Sequence, residues 1–259
     1  MSFNLDNIQL QNKLDVVKKT LLCKDVHFYV FDGIIGAGKS TYLNLLANRL
    51  NNRGIKTKLI LEPVEIWDTT GALKYFYEDI QKHCYEFQTL TYVTRIKSVI
   101  DAIYEDPDAK VYLLERSIWT DRYIFMELLK PLVGEIRMSM YNLWCDLWAY
   151  LLPMNVTKWI LLDTSLDESI IRIKKRSRNG EEDINIDYQT KLYYKHIDFY
   201  DKLKEKEKNV IIIPNYLMNC NFMEDENLFY KITGMVLDDD IYELFVVDND
   251  NLIENDKSD

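Results

Sequence analysis

The 259 residues carry 47% hydrophobic, 13% aromatic and 29% charged side chains, enough apolar surface for a sizeable core and too much for intrinsic disorder or a low-complexity scaffold. With 42 acids against 32 Lys and Arg the net charge is −10, the wrong sign for non-specific attraction to nucleic acid or an anionic membrane. Neither is expected as a partner, and any bound phosphate must be held locally.

Asp6, Lys13, Asp15, Lys18 and Lys19 scatter through the place where a signal peptide would carry its apolar stretch. Cys23, Cys84, Cys145 and Cys220 lie far apart with no C-x-x-C pair, which predicts reduced thiols and a cytoplasmic protein. His27, His83 and His196 are equally dispersed, so no metal cluster is expected. Over residues 1–24, Leu10, Leu14, Val17 and Leu21 recur at helical spacing and predict an amphipathic leading helix that serves packing. Five runs rich in β-branched, aromatic or long aliphatic residues follow, at 26–31, 57–61, 111–114, 159–162 and 210–213. Helical periodicity separates them, at 42–50, 85–105 and 138–152 among other places. Strands alternating with helices predict an α/β fold with a parallel sheet covered on both faces. Charges such as Arg137 and Asp146 break the longest apolar stretches, so no membrane span is expected. No linker or repeat divides the chain, which reads as a single domain over 1–259. Tyr141, Trp144, Leu147, Trp148 and Leu151 make a broad apolar helix face, read as core packing. Residues 238–259 read as an acidic tail, partly disordered at its end.

Gly33-Ile34-Ile35-Gly36-Ala37-Gly38-Lys39-Ser40, followed by Thr41, satisfies G-x-x-x-x-G-K-[ST] between a strand and a helix. Three of the eight glycines fall here, where close backbone approach lets successive N–H groups face phosphate oxygens at a helix N-terminus. Lys39 would neutralise the β and γ oxygens, and Ser40 would hold Mg²⁺ through its hydroxyl. The loop points to a nucleoside triphosphate and leaves the acceptor open.

In open α/β sheets ligands bind outside the carboxyl ends of the strands, and two further polar runs fall there. Glu62-Pro63-Val64-Glu65-Ile66-Trp67 follows the second strand; Glu115 and Arg116 follow the third and lead to Asp121 and Phe125. In the 85–105 helix, Gln88, Thr91 and Arg95 share a face. Arg172, Lys174, Lys175, Arg176 and Arg178 form a basic run before Asn179-Gly180-Glu181. A solvated helix end is the plain alternative for that run, as a buried bridge between two helices is for an Arg95–Asp121 pair.

Taken together these runs resemble the deoxynucleoside kinase family, specifically its deoxycytidine and deoxyguanosine kinase branch. E-P-V-x-x-W, F-Q-T, E-R-S-x-x-x-D-R-Y-I-F and R-x-x-x-R-x-R occur in that order, within residues 26–213. The resemblance implies a phosphate-loop kinase fold with a five-stranded parallel sheet and a lid at about 172–186. It implies transfer of the γ-phosphoryl group of ATP, with Mg²⁺, to the 5′-hydroxyl of a deoxynucleoside for nucleotide salvage. In it Glu62 is the general base, Arg116 steadies Glu62 and the 5′-oxygen, and Glu115 completes the Mg²⁺ shell. Arg95 pairs with Asp121 and, with Gln88, reads the base edge, favouring bases with an exocyclic amine over thymine. Trp67, Phe87 and Phe125 sandwich the base beside Thr91. Tyr77 and Glu181 read the sugar 3′-hydroxyl, and Arg172, Arg176 and Arg178 clamp the phosphoryl group. A homodimer through the helices around 138–152 is implied as well. Gly180 stands where the family commonly has another acid, and residues 214–219 also depart from its pattern. The alternatives are a thymidylate or other nucleoside monophosphate kinase, and a nucleotide-binding regulatory subunit without turnover. Glu62 would repel an acceptor phosphate, which disfavours the first. Intact Lys39, Ser40, Glu62, Glu115 and Arg116 disfavour the second.

Overall fold

The computed structural model describes residues 7–176 and 185–246, with side chains from residue 11 onward. The five apolar runs form β1 (His27–Asp32), β2 (Thr57–Ile60), β3 (Val111–Glu115), β4 (Lys158–Leu162) and β5 (Val210–Ile213). Every pairing is parallel and the order is β2-β3-β1-β4-β5. Each crossover contains helix, which places one core on each face of the sheet. The period-two alternation of a strand sorts the residues. Phe28, Val30, Tyr112, Leu114 and Leu161 enter one core, and Tyr29, Phe31, Val111, Leu113 and Ile160 the other. β1 lies at the centre, so the loop that follows it emerges at mid-sheet.

In chain order the helices are α1 (Asn7–Leu21), α2 (Lys39–Asn52), α3 (Val64–Thr69), α4 (Ala72–Glu78) and α5 (Ile80–Glu105), the last capped by the Asp79 side chain on the Lys82 N–H. α6 (Ile118–Thr120) runs through a π-helical turn (Asp121–Met126) into α7 (Glu127–Val133), followed by α8 (Glu135–Leu151) and α9 (Leu166–Arg176). α10 (Ile186–Lys206), capped by Asn185, precedes α11 (Asn215–Met218), α12 (Glu226–Val236) and α13 (Asp239–Val246). Val17 and Leu21 of α1 are buried against α5, but Leu14 is exposed, so the packed stripe is narrower than its spacing suggests. Among the described residues no helix is long and apolar enough to cross a membrane.

Two expectations change, and one contact is new. On α8 only Tyr141 and Cys145 are buried; Leu143 is 70% and Tyr150 83% exposed, with Trp144 and Leu147 exposed beside them. Core packing accounts for Tyr141, Trp148 and Leu151 of the expected face and leaves Trp144 and Leu147 uncovered. The start of the supposed acidic tail is α13, whose Ile241 and Phe245 are fully buried against α12 and beneath the Arg53 guanidinium, 4.4 Å from the Phe245 ring. His27, distant in sequence from any acidic cluster, meets Asp238 at 3.2 Å through Nδ1 and Asp240 at 3.4 Å through Nε2. With Lys158 bonded to Asp238 at 2.9 Å, these contacts tie the start of α13 to the central strands.

Candidate active site

The loop after β1 turns through Gly36 (φ 80°) and Gly38 (φ 89°), left-handed conformations that glycine adopts without strain. At Gly36 space forbids anything larger, because a Cβ would lie 2.6 Å from the Ser169 carbonyl oxygen. Lys39 folds back to donate to the Gly33 and Ile34 carbonyls, both at 3.1 Å. Burial, reinforced by the neighbouring Arg116, pulls its pKa down to about 8 against the pull of Glu115. Ser40 Oγ donates to Glu115 Oε1 at 2.9 Å. A hydroxyl and a carboxylate meeting at the loop are hard oxygen donors, the set a small divalent cation takes.

Glu62, just past β2, lies between two guanidiniums. Arg95 Nη2 donates to its Oε1 at 2.9 Å, and Arg116 Nε lies 3.1 Å from the same atom as an ion pair without hydrogen-bond alignment. Burial would raise this carboxyl, but Arg116, Arg95 and Lys39 outweigh it and hold the pKa down to about 2. From α5, Arg95 Nε bonds Asp121 Oδ2 at 2.8 Å, Nη2 bonds Asp121 Oδ1 at 3.2 Å, and Nη1 bonds the Glu115 carbonyl at 2.9 Å. The expected Arg95–Asp121 pair is present. The Arg95 contact with Glu62 was not expected, since the sequence reading gave that carboxylate to Arg116 alone.

Arg116 is the one non-glycine among the described residues with positive φ, at 64°. Such strain persists only where the surroundings over-determine it. Its guanidinium lies 4.7 Å from the Phe125 ring centroid, and Nη1 lies 3.4 Å from His196 Nε2. Burial and then Arg116 push the His196 pKa far below the usual histidine range, so the ring is neutral. With Nδ1 donating to the Leu192 carbonyl at 2.8 Å, Nε2 is left as the acceptor for Arg116. Beneath them Asp32 is fully buried, accepting from Thr120 Oγ1 at 2.7 Å and Tyr200 Oη at 2.8 Å. Asp32 and His196 escaped the sequence reading. Asp32, last in its strand and directly before Gly33, carried a usable signal; His196, on a distant helix, carried none.

A cavity of about 520 Å³ joins these groups. Residues 35–41, Arg172 and Arg176 line it together with Trp67, Tyr77, Phe87, Gln88, Thr91 and Phe125 and with the charged Glu62, Arg95, Glu115, Arg116 and Asp121. Gly33 and Ile34 do not line it and act through their carbonyls on Lys39. Trp67 and Phe87 meet edge to face at 75°, so these two rings are not parallel plates. Gln88 is 2% exposed, and its Oε1 has no partner among the described residues. Arg172 bonds Glu168 at 2.7 Å, the Ala37 carbonyl at 3.3 Å and the Met218 carbonyl at 2.6 Å. Arg178 and Glu181 lie outside the described residues.

A G-x-x-x-x-G-K-S loop at the central strand of a parallel sheet, opening a helix at Lys39, defines a phosphate-loop kinase. The model of the deoxynucleoside kinase family matches residues 29–238, and the chain belongs to that family of ATP-dependent phosphotransferases. It is 29% identical over 209 residues to a probable deoxycytidine kinase of fowlpox virus, covering 80% of this chain and 85% of that one. It is 27% identical to the deoxycytidine kinase of Homo sapiens (64% of this chain, 72% of that one). Identity to the mitochondrial deoxyguanosine kinase of Xenopus laevis is also 27% (73% and 79%). The fold, family and enzyme class implied by the motifs are borne out.

Proposed function

We propose that this deoxynucleoside kinase transfers the γ-phosphoryl group of ATP to the 5′-hydroxyl of deoxycytidine or a purine deoxynucleoside in preference to thymidine. The observation that carries the preference is the buried Gln88, whose Oε1 has no partner among the described residues and which lines the same cavity as the Arg95–Asp121 pair. Two acceptors beside guanidinium donors suit an exocyclic amine next to a ring nitrogen, and thymine presents a carbonyl where that amine would stand. The names of the relatives, deoxycytidine and deoxyguanosine kinases, agree with this reading.

Glu62 accepts the 5′-hydroxyl hydrogen and orients the oxygen. A carboxylate held near a pKa of 2 is a weak base, which suffices because phosphoryl transfer is loose and asks for positioning and charge neutralisation more than early proton removal. Arg116 steadies Glu62 and the 5′-oxygen, and Lys39 neutralises the triphosphate. Ser40 and Glu115 are the residues that would hold Mg²⁺, which when bound screens the phosphate charge. Arg172 and Arg176, at the basic end of α9, clamp the phosphoryl group, with residues 172–186 as the lid. Tyr77 meets the sugar. The exposed face of α8 joins two copies in a homodimer, and the four unpaired cysteines suit the cytoplasm.

The test is an ADP-release assay with each of the four deoxynucleosides and with thymidylate. Deoxycytidine or a purine deoxynucleoside should give the highest kcat/KM. Thymidine first would make the Arg95–Asp121 pair structural, and thymidylate first would restore the monophosphate kinase reading.

A further inference from the structure

The Ile35 carbonyl of the phosphate loop is a meeting point for two helices outside the motif. Ser169 Oγ of α9 donates to it at 2.8 Å, and Gln189 Nε2 of α10 donates to it at 2.7 Å. The second Nε2 hydrogen goes to Ser169 Oγ at 2.7 Å, so the three groups close a triangle in which each hydrogen has one acceptor. The reverse amide orientation would set oxygen against oxygen. Both side chains are buried, Ser169 at 0% and Gln189 at 1% exposed, and neither lines the cavity.

A trans peptide is planar, with C=O and N–H pointing opposite ways. Holding the Ile35 carbonyl against α9 and α10 therefore turns the Gly36 N–H away from them, toward the cavity that Gly36 lines. No described residue accepts from that N–H. Two peptides further on, the Ala37 carbonyl is also held by side chains, accepting from Thr164 Oγ1 at 3.1 Å and from Arg172 at 3.3 Å. Carbonyls pulled outward leave the loop with N–H groups for an anion.

We propose that Ser169 and Gln189 are positioning residues for the phosphate donor, holding the Ile35–Gly36 peptide so that its N–H faces a triphosphate oxygen. The proposal rests on reading residues 33–41 as the ATP loop. A purely structural triangle would lower stability and the affinity for both substrates together. A positioning triangle acts on the donor alone.

The experiment compares Ser169→Ala, Gln189→Glu and the double variant Ser169→Ala/Gln189→Glu with the native chain, reading ATP Kd, the KM for ATP and for deoxycytidine, and thermal melting. Gln189→Glu keeps the shape but loses the donor and faces a carbonyl with an oxygen. ATP affinity should fall roughly 5- to 100-fold in each single variant, with the deoxycytidine KM unchanged. The double variant should lose less than the two single losses combined, because both act on one carbonyl. Unchanged ATP affinity in both single variants, or equal losses for ATP and deoxycytidine, would overturn the proposal. Lys39→Ala runs alongside. If it alone loses ATP, only the triangle's role fails; if it too keeps ATP, the phosphate-loop reading itself fails.

Discussion

Glu62, Arg95 and Asp121 form one hydrogen-bonded chain, so the group proposed to read the base also supports the group proposed to receive the proton. Arg95→Met should therefore do more than relax base preference. It strips one of two guanidiniums from Glu62 and leaves Asp121 buried without its partner, a costly state that the carboxyl escapes by taking up a proton. The expected outcome is a fall in kcat of ~10²-fold for every deoxynucleoside, together with a narrower spread of kcat/KM across the four bases. Steady-state kinetics on the four substrates checks this, and a change confined to KM would confine Arg95 to base binding. Lys39 makes a second prediction. With its pKa near 8 in the empty enzyme, it is partly neutral above that pH, and a bound triphosphate restores its charge. ATP binding at pH 9 should then take up a proton that binding at pH 7 does not, measurable by calorimetry in buffers of different ionisation heat. The stability sign follows from the same depression. Between about 8 and 10.5 the unfolded chain holds the Lys39 proton and the folded one has released it, so this group's contribution to stability rises with pH across that window.

Among the elements, the strands were legible because fully buried β-branched and aromatic runs say the same thing at every position. The loop, Glu62, Glu115 and Arg116 were legible because each follows such a run directly, where an α/β sheet places its ligands. Contacts between distant segments were hidden. The His27–Asp238 bond spans 211 residues, and nothing local to either residue announces it. The Arg95 bond to Glu62 is hidden in the same way, because spacing along α5 shows which face Arg95 occupies and not how many carboxylates share its guanidinium. Helix α13 was missed for a compositional reason, since Asp238, Asp239 and Asp240 mask the apolar Ile241, Leu244 and Phe245 that follow. Two of these three, Ile241 and Phe245, reach the core between α12 and Arg53. Phe245→Ala should cost ~3 to 5 kcal/mol, the range for emptying a buried aromatic site. Urea unfolding checks it, and a loss under 1 kcal/mol would mean that α13 is an appendage.

For the whole molecule, α8 is the place where periodicity and burial part company. Sequence spacing reveals that a helix has an apolar face but not what covers it, and here the fold leaves Leu143, Trp144, Leu147 and Tyr150 open. Under the proposed homodimer, the native chain should sediment at twice 30.9 kDa, and Leu143→Lys with Leu147→Lys should return it to 30.9 kDa without loss of folding, because both positions are exposed within one chain. A native chain sedimenting as a monomer would remove the dimer. The cysteines differ as sharply in setting. Cys84 and Cys145 are buried, and burial holds both thiols above the usual range, Cys145 at about 11, while Cys220 is exposed two residues beyond the Met218 carbonyl that anchors Arg172. Cys23 is partly buried, so Cys220 is the most exposed of the four thiols and the one a thiol reagent reaches most readily. A fluorophore coupled there would sit within reach of the Arg172 anchorage and away from the nucleoside end, so the arrival of nucleotide could be followed as a change in light emission on the otherwise native sequence.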